Sequence, residues 1–486
     1  MRTATIIIRD EVNIKIEGLE LDARRKLVNT FKYDVPGARY LPAVRLGRWD
    51  GKVSYFQLGG STFTNLLPEI IPILESFNYD IILDDQRDYS TNFIFERVNE
   101  DTFIHINWGA GHPMEGQPIK LRDYQVEIIN NFLENPQSIQ EIATGAGKTI
   151  MTAALSQRCE QHGRTIVIVP NKSLVTQTEK DYRGLGLDVG VFFGDRKEFG
   201  KTHTICTWQS LNILLKNTKN STAEITIQDF LEDVVCVMVD EVHMAKADAL
   251  KTLLTSVMSR VPIRWGLTGT IPKEAFEFQA LKISLGPVIN QLAASELQER
   301  GVLAQCHVNI VQLIDHAEFT NYQSELKFLL EDSDRLETIS KLVAQVNATG
   351  NTLVLVDRVA AGHALVSLLG DHAVFVSGAT KGTKRDEEYD EIATSTGKII
   401  VATYGVAAVG INLPRIFNLV LIEPGKSFVR VIQSIGRGIR KAEDKDHVEI
   451  WDVTSTCKFA KRHLTKRKQF YKEANYPFTQ EKLEWK

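Results

Sequence analysis

Short runs of apolar, largely β-branched residues recur along most of this chain, each the length of one strand. Ile166–Val169, Thr204–Thr207, Val234–Val239 and Arg264–Leu267 are four of them, and helical stretches lie between several. Runs of this kind read as strands buried on both faces. Helical connections between such strands require a parallel sheet covered on both sides. The rhythm restarts after residue 300, with Val308–Gln312, Leu353–Val356, Ala373–Val376, Ile399–Ala402, Leu419–Ile422 and Val448–Trp451. Two consecutive α/β blocks are therefore expected, over residues 113–292 and 293–456. A chain of 486 residues has room for them and more, because single cores stop growing well below that length.

The segments flanking the two blocks differ from them. In residues 1–112, short β-rich runs (Thr5–Ile8, Val12–Ile16, Val53–Phe56, Tyr79–Leu83, Phe93–Arg97, Thr102–Trp108) alternate with two helical patterns, Leu21–Phe31 and Asn65–Phe77. This predicts a small α+β domain, joined to the rest by the Gly/Pro-rich stretch Gly109–Pro118. Residues 457–486 form a basic tail in which Lys458, Lys461, Arg462, Lys466, Arg467, Lys468 and Lys472 crowd together. A solvated helix packed on the second block and a nucleic-acid contact are equally good readings of it. The net charge of −4 makes the whole molecule no polycation, yet a local basic groove is enough to bind nucleic acid. Five scattered cysteines without a CxxC pair argue against zinc and for a reducing compartment. No apolar run is long enough to span a bilayer, and the amino terminus reads as a strand rather than a signal peptide. A cytoplasmic protein with no membrane partner is expected.

Ala143-Thr144-Gly145-Ala146-Gly147-Lys148-Thr149 carries the clearest chemistry. Its glycines let backbone N–H groups wrap phosphates, and the following helix turns its positive end toward the anion. Lys148 places a charge on the β and γ oxygens, and Thr149 offers a hydroxyl to Mg2+. The usual phosphate-loop pattern has a glycine five positions before Gly147; here Ile142 stands there. Val234–Val239 then leads into Asp240-Glu241-Val242-His243. A buried strand delivers its last carboxylates to the sheet edge where a phosphate loop opens. Asp240 would hold Mg2+ and Glu241 would orient the attacking water, the two roles that phosphoryl transfer from ATP requires.

A GxGKT loop followed by a DExH box resembles the superfamily-two helicases, and further motifs fall in the family's order. Arg122 and Gln125, within Leu121–Gln125, resemble the adenine-side motif. Pro170 and Asn171, then Thr207, Trp208 and Gln209, resemble the motifs that hold the backbone of the tracked strand. Leu267–Thr270 resembles the motif that couples hydrolysis to movement. Thr403, Tyr404 and Gly405 through Gly410 and Asn412 resemble motif V, and Gln433 through Arg437 to Arg440 resembles motif VI. The resemblance implies two tandem RecA-like parallel-sheet lobes after the small α+β domain. It also implies a catalytic set of Lys148, Asp240, Glu241, His243, Gln433, Arg437 and Arg440. ATP sits on the first lobe in this reading, so the developing charge needs a cation from across the cleft, with Arg440 as the finger and Arg437 as its partner.

Within the family, Tyr40–Val53 is similar to the amino-terminal domain of UvsW-type phage recombination helicases. That implies branched DNA as the partner (forks, Holliday junctions, D-loops or R-loops), a place beside phage recombination proteins, and the host cytoplasm. Arg45 and Arg48, with Arg39 and Lys52, interleave with Tyr40 and Trp49 as a backbone-gripping surface would. A hairpin turning at Asp50-Gly51, with Trp49 in a small core, is the other reading of the same residues. RNA or an RNA–DNA hybrid is the alternative substrate. A DNA-translocating subunit of a restriction or remodelling complex is the alternative role. Because every motor motif lies beyond residue 112, the layout predicts that hydrolysis does not need the first domain.

Overall fold

A computed structural model of the chain describes residues 2–87, 93–109, 114–222, 224–242, 247–377, 391, 395–406, 415–427, 435 and 444–485. It divides into two compact units, residues 1–142 with 147–291, and residues 143–146 with 292–486. No helix among the described residues is long and apolar enough to cross a membrane.

The first unit opens with the α+β domain. Its strands are β1 (Arg2–Ile8), β2 (Asn13–Glu17), β3 (Lys32–Asp34), β4 (Lys52–Ser54), β5 (Ser61–Phe63) and β6 (Tyr79–Asp85). Four form one sheet in the order β5-β2-β1-β6, and β3 and β4 make a separate antiparallel pair. Alternation decides which face is buried: Ala4, Ile6 and Ile8 turn inward beneath the helices Leu21–Thr30 and Leu67–Ser76. Two of the expected strands are absent. Phe93–Arg97 runs without a ladder, its Phe93 and Phe95 rings packed on His162 at 5.2 Å. Residues 101–106 wind through turns, with the Ile104 N–H on the Asp101 carbonyl and the Ile106 N–H on Phe103. The polar Asn99–Asp101 stretch supplies turn chemistry that outweighs the downstream alternation.

This domain's core does not end at its own sheet. Phe276, Ala280 and Ile283, from the helix Ala275–Leu285 in the following lobe, belong to the same apolar cluster. Tyr55 stacks on Phe276 with ring centroids 6.0 Å apart and donates its hydroxyl to the Phe276 carbonyl. Glu69 pairs with Lys282, and the Glu11 N–H reaches the Ser259 carbonyl at 3.0 Å. Removing residues 1–112 would therefore strip one face of a lobe helix. The shared core does not support the clean modularity expected from motif positions alone.

The following lobe contains β7 (Gln137–Ile142), β8 (Arg164–Val169), β9 (Val189–Phe193), β10 (Arg196–Lys197), β11 (His203–Thr207), β12 (Val234–Asp240), β13 (Ile263–Thr268) and β14 (Val288–Leu292). They lie in the order β10-β9-β11-β8-β12-β13-β7-β14. The strands β9, β11, β8, β12, β13 and β7 run parallel, so their carboxyl ends share one edge. Arg264 on β13 is fully buried. It satisfies its guanidinium on the Ser284, Met258, Val261 and Leu254 carbonyls.

The second unit is a parallel sheet of β15 (Gln305–Leu313), β16 (Thr352–Val356), β17 (Ala373–Val376), β18 (Ile399–Thr403), β19 (Asn418–Ile422), β20 (His447–Ser455) and β21 (Phe478–Leu483). The order is β17-β18-β16-β19-β20-β15-β21. Between β20 and β21 runs the helix Lys458–Glu473. Its Arg467 is fully buried and forms a two-pronged pair with Asp452 on β20 at 2.8 and 2.9 Å. Tyr471 donates to the same carboxylate at 2.7 Å. The basic segment is thus packed, and it closes into the sheet through β21.

Candidate functional site

β7 ends at Ile142, and the helix Lys148–Cys159 begins six residues later. The turn between them needs glycine. Gly145 and Gly147 have φ of 91° and 86°, in the left-handed region. A Cβ on Gly147 would also lie 2.6 Å from Gln125 Nε2. The structure therefore sets Gln125 against the loop, where it is buried and accepts the Arg122 backbone N–H at 2.9 Å. The Arg122 side chain is exposed and donates to the Tyr124 hydroxyl. Within the loop Ala146 is buried, and Thr144 and Thr149 are half-buried. Lys148 donates to the Ile142 carbonyl at 3.3 Å and pairs with Glu241 at 3.0 Å.

β12 brings Asp240 and Glu241 to the same sheet edge. Asp240 accepts the Glu241 N–H at 2.9 Å. Glu241 itself has φ of 52°, a left-handed conformation that costs a non-glycine residue about 1–2 kcal/mol. Its second oxygen accepts the Gly269 N–H at 3.4 Å. Two residues further on, the Ile271 N–H bonds Glu141 at 3.0 Å. The Thr268–Ile271 turn is thus held by two carboxylates, one just after β12 and one from β7. Burial raises the Glu141 carboxyl above its usual range. Sequence reading missed Glu141, because its partner lies 130 residues away and its strand carries no apolar run to announce it.

Thr149 and Asp240 offer oxygen donors only, which suits a hard divalent cation that completes its shell with substrate phosphates.

The residues expected to touch nucleic acid lie at the ends of their strands. Asn171 follows β8 and caps the helix Lys172–Gly184 by accepting the Leu174 N–H at 3.1 Å. Thr207 ends β11 and caps the helix Trp208–Lys219 through the Ser210 N–H. Gln209 joins the two loops by donating to the Pro170 carbonyl at 3.3 Å. Trp208 is partly buried against the lobe core, so its ring is a packing element. In the second unit, Thr403 ends β18 and Gly405 is exposed, but Tyr404 is buried with its hydroxyl on the Ile422 carbonyl. The Tyr404 ring is therefore not placed to stack on a base. Arg45 and Arg48 are both exposed. They lie on and just after a short helix, Pro42–Arg45, between β3 and β4. A helical loop joining the antiparallel β3 and β4 thus replaces the tight turn at Asp50-Gly51 that one of the two readings gave, with Trp49 half-buried and its indole N–H on the Lys52 carbonyl. His243, Gly410, Asn412, Gln433, Arg437 and Arg440 lie outside the described residues.

Two family models match the chain in succession. One, the Type III restriction enzyme res subunit, spans residues 118–273, and the other, the helicase conserved C-terminal domain, spans 334–442. The chain is a superfamily-two helicase. As a helicase of that superfamily it is ATP-dependent, and the second match includes the positions of Arg437 and Arg440. The helicase is 24% identical over 473 residues to the ATP-dependent DNA helicase uvsW of Enterobacteria phage T4, a match covering 93% of this chain and 90% of that protein. It is 22% identical over 388 residues to the DNA 3'-5' helicase XPB of Mycobacterium tuberculosis, covering 76% and 67% of the two chains. Among solved structures, a fragment of a putative HsdR subunit of a type I restriction enzyme from Vibrio vulnificus superposes with a TM-score of 0.56 at 16% identity. That match covers 75% of this helicase and 69% of the fragment, and it speaks to fold alone.

Proposed function

We propose that this helicase acts on DNA, and that its substrates are branched: forks, Holliday junctions, D-loops or R-loops met in phage recombination, repair or replication. The observation that carries the reading is the extent of the uvsW match, which includes the α+β domain as well as the motor. That domain presents Arg39, Arg45 and Arg48 on an exposed loop, with Arg39 lying 4.7 Å over the Tyr40 ring.

In this reading Lys148 and the loop N–H groups hold the ATP phosphates, and Gln125 with Arg122 lies toward the adenine. Thr149 and Asp240 hold Mg2+, which supplies charge neutralisation when bound. Glu241 orients the attacking water, and its link to the Gly269 N–H passes a change at that carboxylate into the Thr268–Ile271 turn. Arg440 supplies the cation for the transition state, a role worth about 10³–10⁵ in rate. The helices starting after Asn171 and Thr207 point backbone N–H groups and positive ends at the tracked strand's phosphates. Gly405, Gly410 and Asn412 serve the same strand and nucleotide from the other lobe.

The test compares ATP turnover with single-stranded DNA, duplex, forked DNA and RNA, for the native chain and Lys148→Ala. Strongest stimulation by the fork, with no turnover in Lys148→Ala, is the expected result. Strongest stimulation by RNA would move the assignment to an RNA helicase, and turnover surviving in Lys148→Ala would remove the site assignment.

A further inference from the structure

We propose that the exposed face of the helix Lys458–Glu473 is a docking surface for the phosphate backbone of duplex DNA. The helix has two faces. Ala460, Leu464, Arg467, Phe470 and Tyr471 are buried, while Lys458, Lys461, Arg462, Lys466 and Lys472 are exposed. Their spacings of three, one, four and six residues keep all five cations on one side. None of the five forms an ion pair among the described residues, although the chain as a whole carries more acidic than basic residues. The single acid of the helix, Glu473, lies at its end and accepts from Gln469. Surface charge normally interleaves both signs, so a stripe of one sign is a site of strong potential.

The stripe is also rigidly presented. Glu325 accepts the Phe459 and Ala460 N–H groups at 3.0 and 2.7 Å, fixing the helix start. Further along, Arg467 and Tyr471 are bonded to Asp452 inside the unit. The buried arginine thus acts as an anchor that turns its lysine neighbours outward.

Chemistry selects the partner. The stripe is about 21 Å long at 1.5 Å per residue. That matches the rise of roughly six base pairs at 3.4 Å each. Single strands are usually held by aromatic platforms on which bases stack. Here the helix's phenyl and phenol rings are withdrawn from solvent, with Phe470 and Tyr471 buried and Phe459 half-buried beside Lys458 and Arg462. Cations without a stacking platform suit a duplex, whose bases are already stacked. The choice of DNA rests on the proposed function. The surface itself does not depend on ATP hydrolysis.

The experiment follows binding of an end-labelled blunt duplex to the full chain by anisotropy over a salt series, without ATP. The triple variant Lys461→Ala, Arg462→Ala, Lys466→Ala should flatten the slope of log K against log salt by up to ~2.7 units. All three positions are exposed, so the thermal midpoint should hold. If it falls, the pair Lys458→Gln with Lys472→Gln carries the same expectation at up to ~1.8 units. An unchanged slope in a folded variant overturns the proposal. So does an unchanged duplex slope with lost binding of poly-glutamate, which would make the stripe a surface for acidic protein segments. Failure of the helicase reading would appear separately, as absent stimulation of ATP turnover by DNA.

Discussion

Replacing Arg467 by methionine would keep most of its apolar volume and remove only the cation. In the native chain Arg467 and Asp452 are both fully buried, and they meet through two hydrogen bonds at 2.8 and 2.9 Å. The variant leaves Asp452 as a buried charge with the Tyr471 hydroxyl still on it, and frees the Gly425 carbonyl that Arg467 also holds at 2.7 Å. Breaking one side of such a pair costs about 3–5 kcal/mol, because the surviving charge is left uncompensated. The triple variant Arg467→Met, Asp452→Leu, Tyr471→Phe removes the charge, its partner and the orphaned hydroxyl together. It should recover to within about 2 kcal/mol of the native chain. Unfolding of a chain of two units does not yield a single free energy, so the magnitude is read locally and midpoints serve only as comparisons. Hydrogen exchange of peptides from β20 and from 458–473 provides it, and protection there should fall in the single variant and return in the triple. A loss below about 1 kcal/mol in the single variant would mean that Asp452 is as well served by solvent as by Arg467, and would refute the reasoning.

Glu241→Gln should bind ATP and hydrolyse it 10²- to 10⁴-fold more slowly, roughly the range for loss of a positioned proton-transfer group. Single-turnover kinetics check it, and lost ATP binding would reverse the roles given to Asp240 and Glu241. Arg440→Ala should keep ATP affinity within a modest factor while kcat collapses. If DNA-stimulated turnover survives and only unwinding fails, Arg437 is the better finger. His463 is pushed down to about 4 by burial, then by Arg467 and Lys426. A base whose folded pKa is depressed stabilises the fold fully above its unfolded value near 6.5, and that contribution is lost as pH falls from there toward 4. His463→Phe, which keeps a ring against Tyr322, should flatten the fall in urea midpoint over that window, and an identical acid limb would sink the idea.

Many strands of both lobes were legible where burial on two faces forced an apolar run, as at Val234–Val239 and Leu419–Ile422, although the buried run Val189–Phe193 was passed over. β7 was not legible as a strand in this way. Its Ser138 and Gln140 are fully buried but polar, and Gln140 is satisfied by the Ile128 carbonyl, a partner that no local pattern announces. β21 escaped for the opposite reason, since an exposed edge strand reading Phe-Thr-Gln-Glu-Lys-Leu has no apolar face to declare it. The loop glycines and the Asp240-Glu241 pair were legible because phosphate chemistry fixes residue types along the chain. The hold of Glu141 on the Ile271 N–H was hidden, because it joins positions 130 residues apart. Arg467 read as one more surface cation in a basic run, and only the position of Asp452 separates it from its neighbours.

The helix Ala275–Leu285 answers to two masters. It starts a few residues after the Thr268–Ile271 turn, and it gives Phe276, Ala280 and Ile283 to the core of the α+β domain. The two segments must therefore be inherited as a pair. A chimera grafting this amino-terminal domain onto another motor would need Phe276 beneath Tyr55 and a cation at Lys282 for Glu69. Swapping amino-terminal domains among such enzymes is then a question of carrying one helix face along with the graft, and a donor domain moved without it would arrive with its floor missing.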